Sequence, residues 1–161
     1  MTNEIYGIDY LRRRLADKQT RVLLRYKYYE MKNNAQDFSS LAPEKFKGLK
    51  ETVGWCAKAV DSLADRLQFD EFQNDEFNLS EIFLSNNQDI LIDSAVLSAL
   101  ISACSFVYIR EDNGYPRLQV IDGSNATGII DPVTNLLTEG YAVLERDSTV
   151  SYTHLTLPTS D

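Results

Sequence analysis

Histidine is the scarcest chemistry-bearing residue in this chain: His154 is the only one among 161 residues. A histidine base or metal ligand is therefore confined to a single position near the carboxyl end. Cysteine is almost as rare. Cys56 and Cys104 lie far apart without CxxC spacing, so neither a disulfide framework nor a zinc site is indicated. Both thiols stand in apolar helical contexts and are expected to be reduced and buried. Positive charge is also short, since 16 Lys and Arg against 24 Asp and Glu leave a formal net charge of -8. That balance excludes a broad basic surface for nucleic acid, because phosphate binding relies on clustered Lys and Arg. No apolar run approaches the roughly 20 residues needed to cross a bilayer, and no basic start precedes an apolar leader. A soluble, intracellular chain without a membrane partner is the expectation.

What the chain does have is a core-forming composition, 43% hydrophobic and 11% aromatic, enough for one domain. Asp9 is placed to cap a helix running toward Asn33. Along it, Ile8, Leu11, Leu15, Val22, Tyr26 and Tyr29 form a stripe at spacings of three and four, with a gap near Gln19. Such a helix is about 37 Å long, which suits a strut or an assembly element better than a compact small domain. Pro43 opens a second helix. Its seam of Phe46, Leu49, Val53, Cys56, Val60, Leu63 and Leu67 faces a partner element, and Gly54 beside Trp55 reads either as a tolerated packing glycine, the first expectation, or as a place of close backbone approach.

The connection QFDEFQNDEFN follows. Asp70, Glu71, Asp75 and Glu76 lack the alternating ligands, central glycine and terminal glutamate of a calcium loop, so they read as a solvated acidic link, with an edge strand over Leu67 to Phe72. Leu79 to Cys104 divides into a short and a longer helix near Asn86-Asn87, the second so apolar that it must be largely buried. The period then changes to that of strands. Phe106 to Ile109 and Leu118 to Ile121 flank the turn residues Asp112-Asn113-Gly114, and two further strands follow near Thr127 to Ile130 and Leu137 to Arg146. The expected fold class is α+β, with long amino-terminal helices followed by an antiparallel β meander.

Catalytic signatures are missing from this pattern. There is no GxGxxG after a strand, no Walker A loop, no HExxH, and no histidine beside a nucleophile. The expectation is no enzyme, with no catalytic, cofactor-binding or metal-binding residues assigned. The basic residues concentrate on the first helix, as Arg12, Arg13, Arg14, Lys18, Arg21, Arg25, Lys27 and Lys32. Basic and aromatic residues interleave there, which suits nucleic acid, yet the acidity of the whole chain favours a polar helix face or a surface docking against an acidic neighbouring subunit.

Three segments in order carry a family resemblance: YYEMKNN, then GWCAKAVDSLADRLQFDEF, then ILIDSAVLSALISACSFVYIREDNGYPRLQVIDGSNATGIIDPVTN. Together they resemble the amino-terminal part of portal proteins from long-tailed phages of Gram-positive hosts. Trp55, Val60, Asp61, Leu63, Ala64, Asp65, Arg66 and Leu67 match that pattern residue by residue, as do Asp131, Pro132 and Thr134. Two positions depart from it. Gly54 stands where the family has asparagine, and Ala103-Cys104 where a glycine often precedes the hydrophobic strand.

The resemblance spans the chain to about Arg146 and implies a wing-like region of a structural subunit. It implies a ring of about twelve copies at one capsid vertex, the conduit for packaging and ejection of double-stranded DNA. The partners implied are the chain itself, the terminase packaging motor, and head-completion, scaffolding and capsid proteins. The locations implied are the virion and, during assembly, the host cytoplasm. The alternative is a self-contained α+β ligand- or protein-binding module with a pocket between Trp55 and the strands that start near Phe106.

The last residues read differently. VSYTHLTLPT, from Val150 to Thr159, is what one frame of a transposase-end adapter used in tagmentation libraries encodes. Residues 1–148 are therefore expected to be a truncated amino-terminal portal part, and 149–161 an adapter translation that assigns no function to His154. A genuine final strand with alternating Thr and Leu is the competing expectation.

Overall fold

The computed structural model describes residues 6–32 and 54–144, and the backbone of a further strand at 152–156. The first helix, α1, runs Ile8–Tyr29, 22 residues or about 33 Å. Its cap position is Gly7, at φ 78, so Asp9 lies inside the first turn instead of capping it. Leu11, Leu15 and Val22 of the expected stripe are buried, while Ile8 at its start is exposed. Helix α2 spans Trp55–Ala64, α3 Leu79–Ser85 and α4 Gln88–Ser102. The expected helix start at Pro43 and the seam residues Phe46, Leu49 and Val53 lie outside the described residues.

Among the seam residues that are described, Cys56, Leu63 and Leu67 are exposed and Val60 is half-buried. The seam is therefore not sealed as expected. Residues 67–72 form no strand; Phe69 and Phe72 pack on Phe83 of α3 instead, with centroids 6.4 Å and 4.9 Å away. Helix α4 ends at Ala103, which is left-handed at φ 67. A glycine adopts that conformation without steric cost, which gives a physical reason for a glycine near this junction.

Strands β1 (Ser105–Asp112) and β2 (Tyr115–Asp122) form a hairpin whose turn residues Asn113 and Gly114 both have positive φ, at 53 and 83. Two left-handed turn residues match the natural twist of the flanking strands. Strands β3 (Ala126–Ile130), β4 (Leu137–Val143) and β5 (Tyr152–Thr156) pair antiparallel in a second sheet, in that spatial order. The α+β class holds, but the expected meander is divided into two sheets.

The turn at Asp122 explains the division. Its carboxylate accepts the Ser124 N–H at 2.6 Å and the Asn125 side-chain amide at 3.0 Å, while its carbonyl accepts the Asn125 N–H at 3.1 Å. The chain is turned out of the first sheet, and α1 holds it there through Gln19 Nε2, which donates to the Ser124 carbonyl at 3.2 Å. Phe106 then reaches across to the second sheet. A methyl group added to Gly128 would sit 3.3 Å from its ring and collide with Leu137.

Candidate functional site

Helix α1 organises the molecule through its inner face, and most of that work is polar. Glu139 of β4, only 3% exposed, accepts the backbone N–H groups of Tyr6 and Gly7 at 2.7 and 3.0 Å. A carboxylate is favourable there because the helix amino terminus carries partial positive charge. Farther along, Lys18 donates to Cys104 Sγ at 3.6 Å and lies 5.3 Å from the centre of the Phe106 ring. Arg25 Nη1 donates to the Ser102 carbonyl at 3.3 Å, covering the carboxyl end of α4. Lys18 and Arg25, two of the cations considered for nucleic acid, are therefore engaged within the fold.

The far end of α1 grips α2 and α4. The Tyr29 hydroxyl donates to Asp61 Oδ1 at 2.8 Å, and that bond, with some burial, holds the phenol above its ordinary pKa. Tyr26 Oη donates to Ser98 Oγ at 3.5 Å; burial, the largest influence, pushes its pKa up. Tyr26 and Tyr29 form one wall of an open groove of about 540 Å³, completed by Leu91 and Ser98 of α4 and Leu118 and Val120 of β2. Asn86 closes one end. Its side-chain amide donates to the Pro116 carbonyl at 2.9 Å and accepts the Leu118 N–H at 2.9 Å, standing in for a neighbouring strand on that edge of β2.

The pocket expected between Trp55 and the strands that start near Phe106 is not among the two recesses described for these residues. Trp55 is 79% exposed, and neither residue lines the groove. Cys56 is exposed where burial was expected, and Cys104 is half-buried, with neither in a disulfide. The acidic link is put to structural use: Asp75 accepts the backbone N–H groups of Leu79 and Ser80 at 2.6 and 2.8 Å, and these bonds hold its carboxyl below the usual carboxylate range. His154 lies on β5, where the backbone register sets it opposite Tyr141.

A second recess, of about 370 Å³, opens between α2 and α4 and is lined by Asp61, Asp65 and Asp93 together with Ala64, Val96 and Leu97. Asp65 and Asp93 of this notch are exposed, as are Arg14 and Arg21 on the outside of α1. Sequence reasoning missed Glu139 and Asn86. Glu139 sits in an alternating strand, where a polar residue ordinarily faces water, and its partners lie more than a hundred residues away. Nor was the notch anticipated, because Asp93 joins Asp61 and Asp65 only through helix packing.

The apolar surface is the other feature of the site. Among the described residues nineteen large hydrophobic side chains are exposed, against eight buried hydrophobic ones. No described helix is long and apolar enough to cross a membrane. In the comparisons with known proteins, no protein-family model matches the chain and no curated protein matches it.

Proposed function

We propose that the chain is the amino-terminal, wing-like part of a phage portal subunit. It is a structural element with no catalysis of its own, acting by assembly into a ring of about twelve copies. In this reading the complete ring is the conduit for double-stranded DNA and the docking site for the terminase motor and the head-completion, scaffolding and capsid proteins. It belongs to the virion and is built in the host cytoplasm.

Two lines support it. The family resemblance rests on the ordered succession of segments, from the first helix through the tryptophan helix to the Asp131-Pro132 turn. The observation that carries an assembly role is the apolar imbalance. Exposed Tyr, Leu, Ile, Trp and Phe side chains are distributed over α1, α2, α4, β1 and the connections, and a monomer ordinarily keeps contiguous apolar patches small. Such a surface is suited to burial against other polypeptides.

The test begins with the coding DNA. Sequencing across the codons for Asp147 to Val150 by a method that uses no tagmentation adapter is expected to show the frame continuing into further helical sequence. The protein expressed from that frame is then expected to form closed rings by electron microscopy and light scattering. A stop codon directly after Asp161, or a long frame whose product stays monomeric at high concentration, would sink the reading. The groove beside Tyr26 and Tyr29 is the observation that favours the alternative, a self-contained binding module. That reading requires the 161-residue chain to fold as a monomer and bind a ligand there.

A further inference from the structure

The outer face of α1 carries a strip at alternating spacings of four and three: Tyr10, Arg14, Asp17, Arg21, Leu24 and Tyr28. All six are exposed. At about 100° per residue the strip is turned roughly a third of the circumference from Leu11, Val22 and Tyr29 on the inner face. Since Tyr29 is the residue that reaches Asp61, the strip turns away from the notch of its own molecule. Arg14 and Arg21 form no ion pair among the described residues.

The notch is the complementary surface. Asp61 lies in the last turn of α2 and Asp65 caps that helix, which has no basic residue in that turn. A helix carboxyl terminus favours cations, so two carboxylates there are held against the local field. Asp93 of α4 adds a third, and among the described residues no Lys or Arg makes an ion pair with any of them. Ala64, Leu67, Val96 and Leu97 line the same recess and give it an apolar part.

We propose that the two surfaces are halves of one contact: the strip of one copy seats in the notch of the next, Arg21 among the carboxylates and Leu24 against the apolar lining. Resting on the portal reading, this names the subunit contact that its ring would use. The contact joins different surfaces of identical chains, so it propagates head to tail and closes into a ring if the rotation per copy divides a full turn. Salt weakens it, since most of its charges sit at the surface.

Charge reversal in the 161-residue chain, followed by sedimentation velocity over a concentration series, tests it. R14E/R21E inverts the strip, and D65R/D93R inverts the notch while leaving Asp61 and its Tyr29 bond intact. Each is expected to weaken self-association by at least about tenfold through like-charge repulsion. Circular dichroism verifies that both variants fold; L24D is the additional variant if one does not, with the same loss expected. The equimolar mixture of the two variants is expected to associate again, because each strip then meets a notch of opposite sign.

Net charge alone gives a different pattern. The strip variant moves the chain from -8 to more negative values and the notch variant moves it toward zero, so a nonspecific effect would shift their association in opposite directions. Such opposite shifts, a mixture that stays dissociated, or a wild-type chain that never associates would each overturn the contact. If the longer frame still forms rings that both reversals leave undisturbed, this interface falls and the portal reading stands.

Discussion

Single positions in this chain show how much one residue type decides. Ala103 occupies the left-handed region at the end of α4, where an L side chain costs roughly 1 to 2 kcal/mol and glycine almost nothing. Ala103→Gly is expected to raise stability by about 0.5 to 1 kcal/mol, the strain relieved less the extra freedom gained by the unfolded chain. Urea denaturation measures it, and an unchanged or lower midpoint would show that the left-handed turn is not strained. Glu139 is the opposite case, a buried carboxylate whose two backbone donors have no other described acceptor. Glu139→Ala is expected to cost about 2 to 3 kcal/mol, because the donors are left unsatisfied near the core.

Tyr29 links residue chemistry to pH. Its folded pKa is raised above the unfolded value, chiefly because the hydroxyl donates to Asp61. The neutral phenol is the form the fold prefers, so this contribution is fully present below the unfolded value of 10.0 and is lost as pH rises through the folded one. Melting temperature should therefore fall in the alkaline range, and Tyr29→Phe should flatten that fall while lowering stability at neutral pH. An identical alkaline profile in the variant would remove Tyr29 from the account.

At the scale of elements, α3 depends on a cap that lies before it. Asp75 binds the Leu79 and Ser80 amides, and its lowered pKa arises first from the Ser80 backbone N–H. A depressed carboxylate stabilises above its unfolded value of 3.8, and the contribution disappears as pH falls through the folded one. Asp75→Ala is expected to speed amide exchange in α3 while α4 stays protected, because α4 has its own packing against α1 and the first sheet. Equal exchange in both helices would tie α3 to the larger core instead.

The elements also show what sequence periodicity reports and what it leaves out. The division at Asn86-Asn87, the hairpin turn at Asn113-Gly114 and the stripe of Leu11, Leu15 and Val22 were legible, because each depends on spacing or on local turn chemistry. At Gly54 the sequence left two readings open, and the structure favours the second, close approach: Met31 Sδ lies 2.8 Å from where a side chain would begin. The division of the strands into two sheets was not, since it turns on the Asp122 carboxylate folding back on Ser124 and Asn125. The exposed Trp55 and Cys56 misled for a related reason. An apolar seam signals that a surface will be covered but not which polypeptide covers it.

For the whole molecule, the question is what β5 contributes. It pairs with β4 from Glu139 to Val143, while the other edge of β4 pairs with β3. Glu139 fastens β4 to the start of α1, and Leu11 and Leu15 of that helix cluster with Tyr141. The described link between the second sheet and the helices thus runs through β3 and β4, with Ile129 of β3 packed against the same cluster. If 149–161 is adapter-encoded, β5 holds an edge that the continuing chain would otherwise use or cover. Replacing 149–161 by a Gly/Ser tail is then expected to lower the melting temperature by no more than about 4 °C, the equivalent of roughly 1 kcal/mol for a chain of this length. The exposed edge should also make the shortened chain more prone to associate by strand pairing, an association that 0.5 M salt, taken as about five times the roughly 0.1 M that leaves a Debye length near 10 Å, does not reverse. That sets it apart from the charged contact between α1 and the notch, which salt weakens. Collapse of the fold on this replacement would instead make β5 an integral strand of the second sheet.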